Sequence, residues 1–178
     1  MMKYKGYAIT FAEFIDEIAL CINITGCPCH CEGCSEPELA NDDGEELNEK
    51  VLDNLIKQHV NNITMVSFMG GDISHSELSN LARHIKTRFN LKVGMYSGRD
   101  WFDVELLNVL DAYKIGRYIQ PTYEEDEWKK HKFGPLPFPT SNQLYFVKTY
   151  LPNGRCVWKN ETDRFRIKPI GDVKNYII

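Results

Sequence analysis

The sequence predicts an α/β protein in which parallel strands alternate with helices. A strand-like apolar run, a loop and an amphipathic helix follow one another three times before residue 111, an order typical of βα units with right-handed crossovers. The chain has 178 residues, enough for one domain. It is shorter than the ~200 residues that a complete eight-fold βα barrel needs. We therefore expect a single domain over residues 1–178, built as a partial, open barrel or as an open sheet.

The first predicted strand, residues 18–25, is a continuous β-rich apolar run that ends at Gly26. Such a run is typical of a strand buried on both faces. Cys21 lies within it and is expected to be a small buried side chain, not a ligand. Apolar residues at helical spacing predict a helix over residues 48–60, and a second strand over residues 63–69 ends at the turn Gly70-Gly71-Asp72.

The same kinds of signal predict the second helix, the third strand and the third helix. Ser74, with Glu77 three residues later, predicts a capping box at the start of the second helix. A third strand covers residues 91–96, and Asp100 is expected to cap a helix that runs to about residue 110. A fourth strand is expected within residues 111–119, whereas residues 11–18 are interpreted as a lead-in or a short strand.

The second half of the chain is less regular. Acidic residues followed by prolines over 124–139 indicate a long surface segment, and the adjacent bunch of basic residues at 129–132 is interpreted as a solvated face. Strand-like runs at 145–150 and 156–158 flank Asn153-Gly154, which predicts a β-hairpin.

Composition excludes several classes of protein. A hydrophobic fraction of 43% with 26% charged residues is typical of a globular protein. No apolar run is long enough for a membrane span, and residues 1–10 do not resemble a signal peptide. The net charge of −4 provides no electrostatic footprint for nucleic acid. We therefore expect a cytoplasmic protein with reduced thiols, no membrane association and no nucleic-acid partner.

Four of the six cysteines lie between Cys27 and Cys34. Clustered thiolates suit zinc or an iron–sulfur cluster. Zinc sites usually draw two ligand pairs from separate segments, and no second pair is present, although His30 could replace one thiolate. Cys27, Cys31 and Cys34 form a C-x3-C-x2-C spacing, with Cys29 between the first two.

This spacing, on a loop that leaves the first strand of a βα protein, resembles the motif of radical S-adenosylmethionine enzymes. In that superfamily the three cysteines bind three irons of a 4Fe-4S cluster, and the amine and carboxylate of S-adenosylmethionine chelate the fourth. The turn Gly70-Gly71-Asp72 resembles the superfamily's Gly-Gly-acid turn, whose glycines let backbone carbonyl groups approach the ligand. The resemblance implies a partial, open (β/α) barrel with a core over about residues 11–143. Residues 144–178 would form a less regular extension, with a possible hairpin tail.

Further segments narrow the resemblance to the family of anaerobic ribonucleoside-triphosphate reductase activating proteins. These segments are residues 23–28, 31–34, 94–98, 116–119 and 140–143. By this resemblance, Asp72 would support its turn or accept a hydrogen bond from the S-adenosylmethionine amine. The other residues implied to bind the cofactor are Gly33, Cys34, Ser35, Gly70 and Gly71.

The resemblance implies an oxidoreductase that activates a glycyl-radical enzyme. A reduced cluster, supplied by a donor such as flavodoxin or ferredoxin, would cleave S-adenosylmethionine. The resulting 5'-deoxyadenosyl radical would remove a backbone hydrogen from a glycine of the reductase. No general base is required, so His75 is expected to be a surface or helix-face residue. The alternatives are an activase of another glycyl-radical enzyme, a radical enzyme that acts on a small molecule, and a non-catalytic zinc module.

Three positions depart from the patterns of these relatives. Gly33 stands where many members of the wider superfamily have an aromatic residue, although the activating-protein family tends to have glycine there. Ser35 stands where relatives often have Tyr or His. Cys29 is an extra thiol inside the motif. We expect it to be a spectator, with a different ligand register through Cys29 as the alternative.

Overall fold

The computed structural model of the protein describes residues 1–119, 140 and 142–165. The strands within these residues are β1 (Lys3–Thr10), β2 (Ala19–Ile24), β3 (Glu45–Glu46), β4 (Met65–Met69), β5 (Lys92–Tyr96), β6 (Ala112–Ile115), β7 (Leu144–Tyr150) and β8 (Cys156–Asn160). The α-helices are α1 (Glu49–His59), α2 (His75–Phe89) and α3 (Val104–Val109), and short 3-10 helices span Pro37–Ala40 and Thr162–Phe165.

The strands form one open sheet in the order β3-β1-β2-β4-β5-β6-β7-β8. The central strands β2, β4, β5 and β6 run parallel. They correspond to the four strands that the sequence predicts before residue 120. Antiparallel strands flank them on both sides, β1 and β3 at one end and β7 and β8 at the other. The predicted α/β class is therefore confirmed as a mixed sheet that is richer in strands than the sequence indicated.

The three helices pack on the same face of the sheet and share one hydrophobic core with it. Successive crossovers step in one direction, from β2 to β4 to β5 to β6, and crossovers of one hand then place their helices on one side. Apolar side chains at alternate strand positions face these helices, and their burial is the main source of stability. They include Leu20, Ile22, Val66, Phe68, Val93 and Met95. No helix among the described residues is long and apolar enough to cross a membrane.

The opposite face of the sheet is covered by the irregular segment between β1 and β2 and by the second 3-10 helix. Phe14 and Phe165 pack there against a cluster that contains Cys21 and Met65. Gly94 of β5 leaves room for this segment, because a Cβ atom at that position would lie 2.5 Å from the Phe14 ring. Cys21 is buried within its strand, as expected.

The first two helices begin where the sequence predicts, the second at its predicted cap Ser74. Asn48 Oδ1 accepts a hydrogen bond from Val51 N at 3.0 Å, and Ser74 Oγ accepts one from Glu77 N at 3.3 Å. The reciprocal half of the predicted capping box is not formed. The Glu77 carboxylate instead accepts a hydrogen bond from Met2 N at 2.6 Å, because β1 brings the chain terminus to the first turn of α2.

The predicted cap of the third helix is wrong. The helix begins after Asp103, whose Oδ1 accepts hydrogen bonds from Glu105 N at 2.8 Å and Leu106 N at 3.2 Å. Asp100 Oδ1 instead accepts a hydrogen bond from Arg117 N at 3.4 Å. Asp100 belongs to the loop that crosses from β5 to α3, so α3 is shorter than the sequence indicated.

The predicted hairpin is present as β7 and β8, and Gly154 (φ +79°) in its turn donates a hydrogen bond to Leu151 O at 2.8 Å. Because β7 also pairs with β6, the hairpin continues the central sheet. Strand β1 was not predicted, since most of its residues are exposed and Gly6 interrupts its pattern. The predicted surface segment over residues 124–139 lies outside the described residues.

Candidate metal centre

The loops that follow the four parallel strands lie along one edge of the sheet. The cysteine loop follows β2, the Gly-Gly-Asp turn follows β4, Ser97-Gly98 follows β5 and Gly116 follows β6. In open α/β sheets ligands bind beyond the carboxyl ends of the strands. The cysteine motif and the Gly-Gly-Asp turn therefore share the edge where the fold places a binding site.

The cysteine loop is closed at its base. Gly26 N donates a hydrogen bond to Asn41 O at 2.8 Å, and Cys27 N donates one to Leu39 O at 2.9 Å. Buried Leu39 anchors the returning 3-10 helix. Gly26 and Gly33 have φ values of +75° and +73°, a region that glycine occupies without steric cost. The loop therefore turns sharply where it leaves the strand and again before its last cysteine.

The loop presents three half-buried thiols, those of Cys27, Cys31 and Cys34, and one buried thiol, that of Cys29. All four are free, and burial raises the pKa of the Cys27 thiol. Among the described residues, no group of three His, Cys, Asp or Glu side chains is arranged to hold a metal ion. The three half-buried thiols would therefore turn towards one another to bind a cluster. Their softness, number and accessibility fit an iron–sulfur cluster.

Both glycines of the Gly-Gly-Asp turn have positive φ values, +84° for Gly70 and +103° for Gly71. A Cβ atom at Gly71 would lie 2.5 Å from Leu78 Cδ1, and one at Gly26 would lie 2.5 Å from Ile73 Cδ1. The cysteine loop therefore packs directly against the residue that follows the turn. The predicted cofactor-binding residues Gly33 and Ser35 are exposed, whereas Cys34 and Gly70 are half-buried and Gly71 and Asp72 are buried.

Asp72 is the most connected side chain at this edge and is 3% exposed. Its Oδ1 accepts a hydrogen bond from Ser97 Oγ at 2.6 Å, and its Oδ2 accepts one from Gly98 N at 2.8 Å. His75 Nε2 lies 3.1 Å from Oδ1. Burial alone would raise the pKa of Asp72, but the hydrogen bonds from His75, Ser97 and Gly98 lower it. The carboxylate thus joins the ends of β4 and β5.

His75 lies between two carboxylates, with Nδ1 3.0 Å from Asp103 Oδ2 and Nε2 close to Asp72. The hydrogen bond with Asp72 raises the pKa of His75, burial opposes this, and Asp103 adds to it. His75 is the first residue of α2, in agreement with the helix-face alternative, but its side chain is only 11% exposed and does not lie on the open surface. Trp101 contacts the ring edge-on, and Arg99 lies 5.4 Å from the Trp101 ring.

The sequence did not predict roles for His75, Ser97 or Arg99. Arg99 Nη2 donates a hydrogen bond to Asp72 O at 3.1 Å. The signal that could have found these residues is the acid of the Gly-Gly-Asp turn, because a buried carboxylate requires several donors nearby.

The carboxyl end of β6 is held by the segment before β7. Gly116 (φ +111°) donates a hydrogen bond to Arg99 O at 2.8 Å and accepts one from Gln143 Nε2 at 3.0 Å. Asn142 Nδ2 donates to Arg117 O at 2.7 Å. The predicted motif segments 94–98, 116–119 and 140–143 thus meet, as far as the structure describes them, around the ends of β5 and β6.

This fold and this site define the class of the protein. A loop of half-buried thiols at the carboxyl edge of a parallel α/β core fits an iron–sulfur protein. A family described as a 4Fe-4S single cluster domain matches residues 18–133. The match covers more than half of the chain, and the protein belongs to this family. No curated protein and no solved structure shows a significant match.

Proposed function

We propose that the protein is a radical S-adenosylmethionine activase that generates a glycyl radical on anaerobic ribonucleoside-triphosphate reductase. The observation that carries this proposal is the packing of the C-x3-C-x2-C loop on the turn Gly70-Gly71-Asp72. Gly26 of the loop lies against Ile73, and Cys29 Sγ donates a hydrogen bond to Asp72 Oδ2 at 3.5 Å. An iron–sulfur motif and a glycine turn thereby adjoin at the end of neighbouring parallel strands.

Three thiolates would leave one iron of a 4Fe-4S cluster open to a further ligand, which the glycine turn beside the loop could accommodate. Cys27, Cys31 and Cys34 would hold the cluster. When bound, the reduced cluster would supply the electron that cleaves S-adenosylmethionine. The residues proposed to contact that cofactor are Gly33, Cys34, Ser35, Gly70 and Gly71, and Asp72 is the remaining member of the predicted set.

The contacts of Asp72 favour one of its two expected roles. Both carboxylate oxygens accept hydrogen bonds from within the protein, from Ser97, Gly98 and Cys29. These bonds fix the carboxylate to the turn that follows β5. We therefore assign to Asp72 the support of the glycine turn, in preference to accepting a bond from the amine of S-adenosylmethionine.

The winding of the sheet supports a partial barrel of the radical S-adenosylmethionine type. The parallel strands step in one direction and carry their helices on one face, as in a βα barrel. The sheet is open, so a segment of a partner protein could reach its carboxyl edge. An activase needs this access, because the reacting glycine is part of another protein.

Exposed apolar side chains beside the site support a protein partner. Ile73, Trp101 and Val104 are 46%, 50% and 70% exposed and follow β4 and β5 along the same edge. Exposed apolar groups of this kind commonly mark contact surfaces. We propose the reductase as the substrate and a flavodoxin or ferredoxin as the electron donor. The described cysteines are free, which suits the reducing cytoplasm.

The test begins with anaerobic purification and reconstitution with iron and sulfide. The expected result is a brown protein that, once reduced, cleaves S-adenosylmethionine to 5'-deoxyadenosine and methionine. Replacement of Cys27, Cys31 or Cys34 singly by alanine should abolish cleavage. Cys156→Ala is the matched control, because this half-buried cysteine lies in β8 and should be dispensable. A colourless protein that retains only zinc would contradict the proposal.

The partner is tested by mixing reduced protein, S-adenosylmethionine and anaerobic ribonucleoside-triphosphate reductase. A glycyl radical should appear by paramagnetic resonance and be absent when the reactive glycine of the reductase is replaced by alanine. Cleavage without a glycyl radical would reject this partner. It would favour another glycyl-radical enzyme or a small-molecule substrate.

A further inference from the structure

Cys29 is the thiol of the cysteine loop that the proposed cluster does not use. It is 7% exposed, unlike the half-buried thiols of Cys27 and Cys31 on either side of it. Its Sγ donates a hydrogen bond to Asp72 Oδ2 at 3.5 Å. The side chain therefore faces the Gly-Gly-Asp turn, across 43 positions of sequence.

The carboxylate that Cys29 contacts is itself held in place. Ser97 Oγ and Gly98 N donate to it from the end of β5. His75 contacts it from the first turn of α2, and Asp103 at the start of α3 holds the other nitrogen of His75. Since donors from two separate elements converge on Asp72, its carboxylate is a fixed point for the loop.

Gly98 provides the space that Cys29 occupies. A Cβ atom at Gly98 would lie 2.6 Å from Cys29 Sγ and 2.9 Å from Cys29 Cβ. Gly98 is not among the residues with positive φ. Glycine is therefore required at this position for space, because its backbone conformation is one that alanine can adopt.

We propose that Cys29 is a positioning residue that fastens the cysteine loop to the ends of β4 and β5. Cys27 and Cys31 each lie two residues from it, so the contacts of Cys29 with Asp72 and Gly98 determine where these two thiols stand. The identity of the cluster ligands rests on the proposed function. We call the contacts of Cys29 with Asp72 and Gly98 the anchor, and the anchor does not depend on the proposed function.

The first experiment measures how well the thiol of Cys29 is protected from alkylation when no cofactor is bound. Metal-free, reduced protein is alkylated under native conditions, and the label on each thiol is located by fragmentation of the peptide. Cys29 should react at least about tenfold more slowly than Cys31, because its reaction requires local opening of the loop. In Gly98→Ala this protection should be lost. Equal rates for Cys29 and Cys31 in the wild type, or protection that persists in Gly98→Ala, would overturn the proposal.

A compensating variant separates a displaced loop from a misfolded protein. Cys29→Gly/Gly98→Ala removes both atoms that the new methyl group would meet. It should restore the labelling rates of Cys27 and Cys31 to those of Cys29→Gly alone. Labelling of these two thiols that is faster in the double variant than in Cys29→Gly alone would show that the alanine acts elsewhere, and the anchor would be rejected.

The second experiment examines the reconstituted protein. Cys29→Ala should keep the iron content of the wild type, whereas kcat/KM for S-adenosylmethionine cleavage should fall about tenfold or more through misplacement of the site. Cys29→Ser retains a donor for Asp72 and should recover most of this loss. Loss of iron in both variants, as in Cys31→Ala, would identify Cys29 as a ligand and overturn the proposal.

The two experiments also distinguish this inference from the proposed function. If the wild type holds a cluster but does not cleave S-adenosylmethionine, the proposed activity fails, and the alkylation rates still decide whether Cys29 is an anchor. If cleavage occurs but Cys29 is unprotected, the activity stands and the anchor fails.

Discussion

The glycine turn after β4 provides a prediction whose magnitude follows from the structure. Gly71 has φ +103°, where an L-residue costs about 1–2 kcal/mol. A methyl group at this position would lie 2.5 Å from Leu78 Cδ1, and Leu78 is fully buried. Such overpacking adds about 1–3 kcal/mol. Gly71→Ala should therefore lower the free energy of unfolding by about 2–5 kcal/mol.

Two other glycines serve as matched controls. Gly70 has φ +84°, and the nearest atom to a Cβ there is Ile24 O at 3.4 Å. Gly154, in the hairpin turn, has φ +79° and nothing within 4 Å of a Cβ. Alanine at either position should lower the free energy of unfolding only through backbone strain, by about 1–2 kcal/mol.

The assay is urea unfolding of the metal-free, reduced protein, followed by circular dichroism, with the slope of the transition compared among the variants. Thermal unfolding should show Tm lowered by roughly 5–15 °C for Gly71→Ala. Leu78→Ala should cost less in the Gly71→Ala background than in the wild type, since it removes the clashing atom. A Gly71→Ala variant no less stable than Gly154→Ala would refute the packing argument.

Three further changes should alter stability in ways that urea unfolding can measure. Ser74→Ala removes the N-cap of α2 and should cost about 1 kcal/mol, whereas Ser76→Ala, exposed in the same turn, should have little effect. Asp111→Ala removes the acceptor for a lysine of α2 and for a backbone N–H of β5 and should cost about 2–3 kcal/mol; Asp111→Asn, which keeps an acceptor, should cost less. His75→Gln should change the pH dependence. The raised pKa of His75, due first to its hydrogen bond with Asp72, makes the charged ring stabilising below its unfolded pKa of about 6.5. That stabilisation is lost as the pH rises through the folded-state pKa of His75. His75→Gln should therefore be less stable than the wild type at pH 6 and closer to it in stability at pH 9.

Much of the fold was predictable because its signals are local. The parallel strands, the first two helices and the hairpin turn appear where periodicity, caps and Asn153-Gly154 indicated. The error in the third helix arose because two residues could fill the same capping role. Asp100 and Asp103 could each cap the third helix. The cap is Asp103, whereas Asp100 accepts a hydrogen bond from Arg117 N.

The sequence by itself determined the alternation of strands and helices, the C-x3-C-x2-C spacing and the glycine turn, since each depends on residues close together in the chain. Only the tertiary structure decided what these segments contact. It added β1, joined the hairpin to the sheet through β6, and placed His75 between two carboxylates. It also distinguished the buried thiol of Cys29, which contacts Asp72, from the three half-buried thiols of the loop. Such contacts join residues far apart in sequence, and the packing of the strand ends, which no local pattern encodes, selects them.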